Sequence, residues 1–271
     1  MTLILTELSR LGIAMAADSA LTQELRKPNG TMGDKVYYGA QKLFIVPNLM
    51  AGIAYWGWGD IPQPSSDWSH KDKLERTELW LPHFLDENKE HYNSLSMLAQ
   101  LLEKELRNRI PKIDVNEYPY GDGGIHLAGY ESRDGQLLPT FWHIHNGVSQ
   151  VLPSKKINPT LVNANNDIST ENGRQIVDDG GFAIIKNGDI AAYNTLWELL
   201  FRPDSAFSKI IRTTGLTFPY SRTLADRANF LKFQIQTVEG LYRFSKEGKG
   251  IGSPVTTLTI SPMGIMTYSH E

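Results

Sequence analysis

Segments typical of β-strands and of α-helices are grouped along this chain of 271 residues instead of alternating one by one. Short apolar or alternating runs come first, then helical periodicity, then strands, helices and strands again. Steady β–α–β alternation is typical of doubly wound parallel sheets, whereas grouped elements favour sheets and helices in separate layers. The order therefore predicts an α+β fold. No repeat, low-complexity tract or convincing linker divides the sequence, so we expect a single domain over residues 1–271.

Four hairpin-like pairs of strands can be recognised from apolar runs that flank turn residues. The first pair is joined by the SRLG turn, and the second by Pro47-Asn48. The third joins GIHLAGYES to LLPTFWHIHNGVSQV through Arg133-Asp134-Gly135, and the last lies in SPVTTLTISPMGIMTYSH. The first two pairs are predicted at Thr2–Leu8 with Gly12–Ala17, and at Lys42–Val46 with Met50–Tyr55.

Helical periodicity is clearest in SLSMLAQLLEKELRNRI, where leucines at positions 95, 98, 102 and 106 form one apolar stripe. Ser94 is suited to cap the start of this helix, and Pro111 follows its end. In GFAIIKNGDIAAYNTLWELLF we expect a strand, a turn at Asn187-Gly188 and a helix that Asp189 opens. A further helix is predicted over Arg222–Phe244.

The composition excludes several classes of function. The 27 basic and 30 acidic residues give a formal charge of −3, which offers no overall attraction to nucleic acid or to an anionic membrane. The chain has no cysteine, so disulfides, thiolate catalysis and cysteine-ligated metals are excluded. No apolar run reaches bilayer length and the N-terminus does not resemble a signal peptide, so a cytoplasmic location is expected.

Thr2 stands at the head of the first predicted strand and is the candidate nucleophile. Removal of Met1 would leave the Thr2 hydroxyl beside a free α-amine, whose pKa of about 8 suits a general base. Such a site also needs a nearby cation to hold down the pKa of the amine, and an anion to orient that cation. Asp18 ends the returning strand of the first hairpin and Lys42 begins the run KLFIV, so these two are the candidates.

The spacing of these residues resembles that of proteasome-type β subunits, which are N-terminal-nucleophile hydrolases. In that family an aspartate follows the N-terminal threonine by 16 positions, as Asp18 follows Thr2. The lysine of the family heads a segment that reaches a further aspartate 18 positions later, as KLFIVPNLMAGIAYWGWGD does from Lys42 to Asp60. The likeness resumes at FAIIKNGDIAAYNTLWELL and at GIGSPVTTLTI. Bacterial proteasome-like proteins are the relatives that the length of the chain favours.

The resemblance implies a four-layer αββα sandwich, in which two antiparallel sheets are stacked between helices. It implies a hydrolase of peptide or other amide bonds that assembles with copies of itself in a ring or spiral and needs no metal or organic cofactor. Thr2 would be nucleophile and base, Lys42 would tune the proton balance and Asp18 would position Lys42. The resemblance also implies that the backbone N–H of Trp56, or that of Gly57, binds the oxyanion. The substrate pocket would be lined by Ala40, Phe44, Ala54 and Trp58.

The sequence departs from the family in the residues that support the site. Asn187 stands where the family has a serine, and the later Arg-Asp-x-x-Ser-Gly cluster is not recognisable in LYRFSKEGKGIGS, where Ser245 or Glu247 are only partial replacements. The alternative hypothesis is therefore a catalytically inactive protein that keeps the fold and serves in assembly or partner binding.

Other patterns favour structural roles. His143 and His145 would share one face of a strand and could bind a metal, but no third ligand is evident, so a hydrogen-bonded pair is the preferred interpretation. The glycine-rich runs VDDGG and KNGD are interpreted as turns. The cluster of Trp56, Trp58 and Trp68 suits a subunit interface or the core, and the polar, proline-rich loop beside it favours the interface.

Overall fold

A computed structural model describes residues 2–26, 32–63, 74–109, 113–114, 123–133, 135–145, 156–157, 160–163, 182–201, 204–214, 222–245 and 250–270. The predictions that concern Met1, Trp68, Asp134, VDDGG and Glu247 lie outside these residues. Within them no helix is both long enough and apolar enough to cross a lipid bilayer.

Antiparallel strands form most of the described structure. Their bounds are β1 Leu3–Ser9, β2 Gly12–Ala17, β3 Leu21–Arg26, β4 Met32–Tyr37, β5 Leu43–Ile45, β6 Ala51–Trp56, β7 Asp60–Pro62, β8 Leu74–Arg76, β9 Ile113–Asp114, β10 Gly124–Arg133, β11 Gln136–His145, β12 Lys156–Ile157, β13 Thr160–Asn163, β14 Phe182–Gly188, β15 Thr256–Ser261 and β16 Gly264–His270. The four predicted pairs are confirmed as β1–β2, β5–β6, β10–β11 and β15–β16.

The described residues contain five α-helices, which are α1 Thr77–Glu87, α2 Leu95–Arg109, α3 Ile190–Phe201, α4 Ala206–Thr213 and α5 Leu224–Phe244. The prediction of α2 with Ser94 as its cap is confirmed, since the Ser94 hydroxyl accepts a bond from the Met97 N–H at 3.2 Å. The predicted helix over Arg222–Phe244 is α5, and it begins with a capping box between Thr223 and Asp226.

Two five-stranded sheets organise the chain. The first, called sheet A, has the order β14-β1-β2-β15-β16, and the second, called sheet B, has the order β13-β11-β10-β6-β5. Neighbouring strands in both sheets are antiparallel. The prediction of antiparallel sheets without βαβ alternation is therefore confirmed.

Buried apolar residues fall into three clusters. One joins sheet B to α1 and α2, through residues such as Ile53, Trp80 and Leu98. A second joins sheet A to α3 and α5, through residues such as Leu5 and Leu231. The third contains side chains of both sheets, among them Ile4, Met15, Ala54, Trp56, Phe141 and Leu258. Each sheet thus has a helix-side cluster on one face and shares the third cluster with the other sheet.

Candidate active site

Thr2, Asp18 and Lys42 come from three strand ends that the fold brings to one place. Thr2 directly precedes β1, and Asp18 directly follows β2, the antiparallel partner of β1. Because Ile4 lies opposite Ala17, the hairpin register puts Asp18 beside Thr2 and Leu3. Lys42 directly precedes β5 and therefore reaches the site from sheet B.

The side chains of these three residues are in direct contact. Lys42 Nζ lies 3.0 Å from Thr2 Oγ1 and 2.8 Å from Asp18 Oδ1. Thr2 is 6% exposed, Asp18 is 1% exposed and Lys42 is fully buried. The ion pair is consequently shielded from water. In this buried position its electrostatic attraction is much stronger than on a protein surface.

The surroundings of Lys42 are those of a charged ammonium group. Its three N–H groups have three acceptors, namely Thr2 Oγ1, Asp18 Oδ1 and the carbonyl of Ala20. Burial lowers the pKa of Lys42, and the Asp18 carboxylate opposes this shift. The pKa of Lys42 thus lies below that of a lysine in water, and its three acceptors are arranged as an ammonium group requires.

Asp18 is held by main-chain groups from three parts of the chain. Its Oδ1 accepts a hydrogen bond from the Leu3 N–H at 3.0 Å. Its Oδ2 accepts bonds from the Ala20 N–H at 3.0 Å and from the Gly252 N–H at 3.2 Å. Together with Lys42 these donors occupy both carboxylate oxygens, so the orientation of the anion towards the lysine is fixed.

The main chain of Thr2 is held by the end of β14. The Asp189 N–H donates to the Thr2 carbonyl at 2.6 Å. Gly188 lies opposite Leu3 with a φ of +98°, and a Cβ built on it would stand 1.9 Å from the Thr2 carbonyl oxygen. Only glycine fits this conformation and this close approach.

Trp56 and Gly57, whose backbone N–H groups are expected to bind the oxyanion, follow Tyr55, which is hydrogen-bonded to Lys42 through the main chain. The Tyr55 N–H donates to the Lys42 carbonyl at 3.1 Å. Trp56 ends β6, and Gly57 turns the chain away with a φ of +76°. The segment thus leaves sheet B next to the lysine, and its role towards an oxyanion stays a prediction.

The four residues expected to line a substrate pocket are all buried, but they belong to different surroundings. Phe44 and Trp58 are part of the cluster beneath α1 and α2, whereas Ala54 belongs to the cluster between the sheets. Ala40 donates its N–H to the Ser19 carbonyl at 3.1 Å. Their contact with a substrate stays a prediction.

Asn187, which stands at the position of the family's serine, contacts a histidine that the sequence did not single out. His126 Nε2 lies 2.7 Å from Asn187 Oδ1, and His126 Nδ1 lies 3.0 Å from Thr6 Oγ1. His143 and His145 stack with ring centroids 4.6 Å apart. Among the described residues no group of three potential metal ligands is assembled.

The sequence also did not reveal the main-chain partners of the site, which are Ala20, Gly252 and Asp189. A backbone N–H or carbonyl carries no side-chain signature, so only the tertiary fold can show which one reaches the site. The turn predicted at Asn187-Gly188 is wrong in its bounds, because both residues end β14 and the chain leaves the strand only at Asp189.

No protein-family model and no curated protein matches the chain. Among solved structures, the Gly-1 mutant of Anbu from Hyphomicrobium sp. strain MC1 is similar, with a TM-score of 0.47 and 9% identity. The alignment covers 100% of this chain and 86% of the other. A likeness at this level does not indicate a function.

Proposed function

We propose that the protein is an N-terminal-threonine hydrolase that cleaves peptide or other amide bonds. The observation that carries this proposal is the contact of Lys42 Nζ with both Thr2 Oγ1 and Asp18 Oδ1 inside a buried site. A hydroxyl held against a cation that a carboxylate fixes is the arrangement of an activated nucleophile.

The reaction begins once Met1 is removed and the α-amine of Thr2 is free. The amine accepts the hydroxyl proton while Thr2 Oγ1 attacks the amide carbonyl carbon, and the adjacent Lys42 ammonium stabilises the developing alkoxide. The oxyanion of the tetrahedral intermediate accepts a hydrogen bond from the backbone N–H of Trp56 or Gly57. The intermediate then collapses, the C–N bond breaks and the protonated α-amine gives its proton to the leaving amine.

An acyl ester on Thr2 remains after the amine has left. Water attacks this ester while the α-amine again serves as base, which releases the carboxylic acid and restores the hydroxyl. Each proton that the amine takes up is returned within the cycle. The chemistry uses only groups of the polypeptide and water.

We place this site in a four-layer αββα sandwich formed by one domain over residues 1–271. The three apolar clusters support the layers, since each sheet has helices on one face and the other sheet on its second face. Assembly with copies of itself and a cytoplasmic location belong to the same proposal and follow from the family that the sequence resembles.

The test is intact-mass measurement of protein made without an N-terminal tag, before and after treatment with a β-lactone or boronate. We expect the mass of Met1 to be missing and one adduct to form on Thr2. Thr2→Ala should form no adduct, whereas Thr2→Ser, which keeps the hydroxyl, should still react. Retained Met1 in the folded protein, or an equal adduct on Thr2→Ala, would favour the catalytically inactive assembly protein instead.

A further inference from the structure

A polar contact crosses the apolar space between the two sheets. His126 on β10 of sheet B contacts Thr6 on β1 and Asn187 on β14, both in sheet A. Thr6 and His126 have no exposed surface, and their neighbours Phe141 and Ala128 are apolar. These three residues, Thr6, His126 and Asn187, are called the His126 clamp; two of them are fully buried within a hydrophobic cluster, and Asn187 is half-buried.

The partners of the imidazole define its protonation state. Asn187 presents its amide oxygen to Nε2, so Nε2 carries the proton and donates it. Nδ1 is then the acceptor for the Thr6 hydroxyl at 3.0 Å. Burial lowers the pKa of His126 to about 4, which keeps the ring neutral near neutral pH.

A hydrogen-bonded network in this place adds little net stability compared with apolar side chains of the same shape, because folding exchanges bonds to water for bonds within the protein. What it adds is specificity of register. A slip of β14 by one residue along β1 would turn Asn187 to the opposite face of sheet A and break its bond to His126.

The register that the clamp selects is the one that Thr2 needs. Gly188 immediately follows Asn187 and lies opposite Leu3, with room for no side chain beside the Thr2 carbonyl. Asp189 comes next and donates its N–H to that carbonyl. A slip in either direction would place Asn187 or Asp189 where only a glycine fits.

We propose that His126 is a positioning residue for Thr2, because its neutral imidazole ties Asn187 to Thr6 and so holds Gly188 and the Asp189 N–H against the Thr2 carbonyl. His126 touches no reacting atom and acts only through β14. Its importance for catalysis rests on the proposed function of Thr2, whereas its importance for the position of β14 does not.

The position of β14 is tested by amide hydrogen exchange, followed residue by residue by NMR. In His126→Phe, which keeps an aromatic ring but neither hydrogen bond, we expect exchange at the Asp189 N–H to accelerate at least about tenfold. The Val46 N–H, which donates to the Ala51 carbonyl in sheet B, serves as internal reference and should not change. In His126→Gln, whose amide can still donate to Asn187, most of the protection should return.

His143→Phe is the matched control. His143 lies opposite His126 on the neighbouring strand β11, and its Nε2 has no hydrogen-bond partner among the described residues. Loss of this imidazole should leave exchange at Asp189 as in the wild type. Unchanged exchange in His126→Phe, or an equal acceleration in His143→Phe, would overturn the proposal. If His126→Phe does not fold, Thr6→Val removes one bond at constant volume and is judged by the same measure.

The catalytic consequence is measured separately. His126→Phe should lower kcat by about tenfold to a hundredfold, in line with the cost of misplacing a reacting group, and should leave KM within about twofold. His126→Gln should recover most of kcat. If the wild type neither hydrolyses amides nor reacts with a β-lactone, the proposed function fails, and the exchange experiment still decides the role of His126. An unchanged kcat in a folded, active His126→Phe would contradict the positioning role.

Discussion

Lys42 is the residue at which the two sheets meet in the candidate site. It enters from sheet B and donates to Thr2, Asp18 and Ala20. Thr2 and Asp18 flank strands of sheet A, and Ala20 directly precedes β3. Since the side chain has no exposed surface, water cannot replace any of these three partners. The charge and the shape of this one residue therefore determine how the candidate site is held together, and the reactivity proposed for Thr2 depends on them.

Lys42→Met should lower the free energy of unfolding by about 3–5 kcal/mol, because it leaves the Asp18 carboxylate buried without its countercharge. It should also abolish adduct formation at Thr2. Lys42→Arg keeps the charge, but its planar guanidinium cannot point three N–H groups at the same three acceptors, so we expect loss of adduct formation here too. Urea denaturation and intact mass are the measurements.

Lys89→Met serves as the control for Lys42→Met. Lys89 pairs with Asp86 at 3.0 Å on the surface, where solvent screens the interaction. Its loss should leave both stability and adduct formation close to those of the wild type. A Lys42→Met protein that is as stable as Lys89→Met would show that the buried pair is not coupled as the distances indicate.

At the residue level, the sequence could identify the side chains of the site but not the main-chain groups around them. Thr2, Asp18 and Lys42 follow from spacing, because a hairpin register and a strand start determine where they lie. The donors to Asp18 from Leu3 and Gly252 depend on how distant parts of the chain are stacked. No local pattern reports such stacking, and His126 escaped notice for the same reason.

Strand β14 and the turn that follows it are the element with the tightest constraint on Thr2. In Gly188→Ala the new methyl group would meet the Thr2 carbonyl oxygen, and the φ of +98° is strained for any residue with a side chain. We expect lower stability and a loss of adduct formation at Thr2. Thermal unfolding and intact mass after β-lactone treatment are the measurements.

Gly135→Ala separates the two causes. Gly135 also has a positive φ, of +78°, but a Cβ built on it meets nothing within 4 Å. This variant should show the effect of backbone strain alone, about 1–2 kcal/mol, with reactivity at Thr2 unchanged. If Gly188→Ala lost no more stability than Gly135→Ala and still formed the adduct at Thr2, the close packing of Gly188 against Thr2 would not matter for reactivity.

The elements that sequence patterns predicted and those that they did not differ in a physical way. Helix α2 has four leucines on one stripe and a serine cap, so its local signals agree with its packing. Helix α1 contains Pro82, which weakens any helical prediction, and it is stabilised by the burial of Trp80, Leu81 and Phe84. The β3–β4 hairpin is not among the strand pairs that the sequence predicted.

At the scale of the whole molecule, the site exists only when sheets A and B are stacked, since Thr2 and Asp18 flank strands of one sheet and Lys42 flanks a strand of the other. Buried hydrogen bonds and ion pairs make the packing of the layers more specific than the apolar clusters alone would. Besides the His126 clamp, the Arg227 guanidinium on α5 donates to the buried Glu7 carboxylate on β1. Correct stacking is thus specified by buried polar groups as well as by apolar area.

A buried neutral histidine between the sheets makes the stability of the whole fold depend on pH. The pKa of His126 is about 4 in the folded protein, against 6.5 for an unperturbed histidine. Between these values the unfolded chain binds a proton that the folded protein does not, so stability must fall as the pH is lowered from 6.5 towards 4. The slope approaches about 1.4 kcal/mol per pH unit, which amounts to about 3 kcal/mol over the interval.

Urea denaturation at several pH values, compared between the wild type and His126→Gln, isolates this contribution. Burial also lowers the pKa of His143, to about 2, which acts in the same direction, and raises the pKa of Glu7, which acts in the opposite direction. Glu7 is present in both proteins, so its effect cancels in the difference, and the burial that dominates the shift of His143 is also common to both, although His126 contributes a smaller part of that shift. We expect the wild type to lose about 3 kcal/mol more than His126→Gln between pH 6.5 and 4. Parallel curves would mean that the imidazole takes up its proton without leaving its place between the sheets.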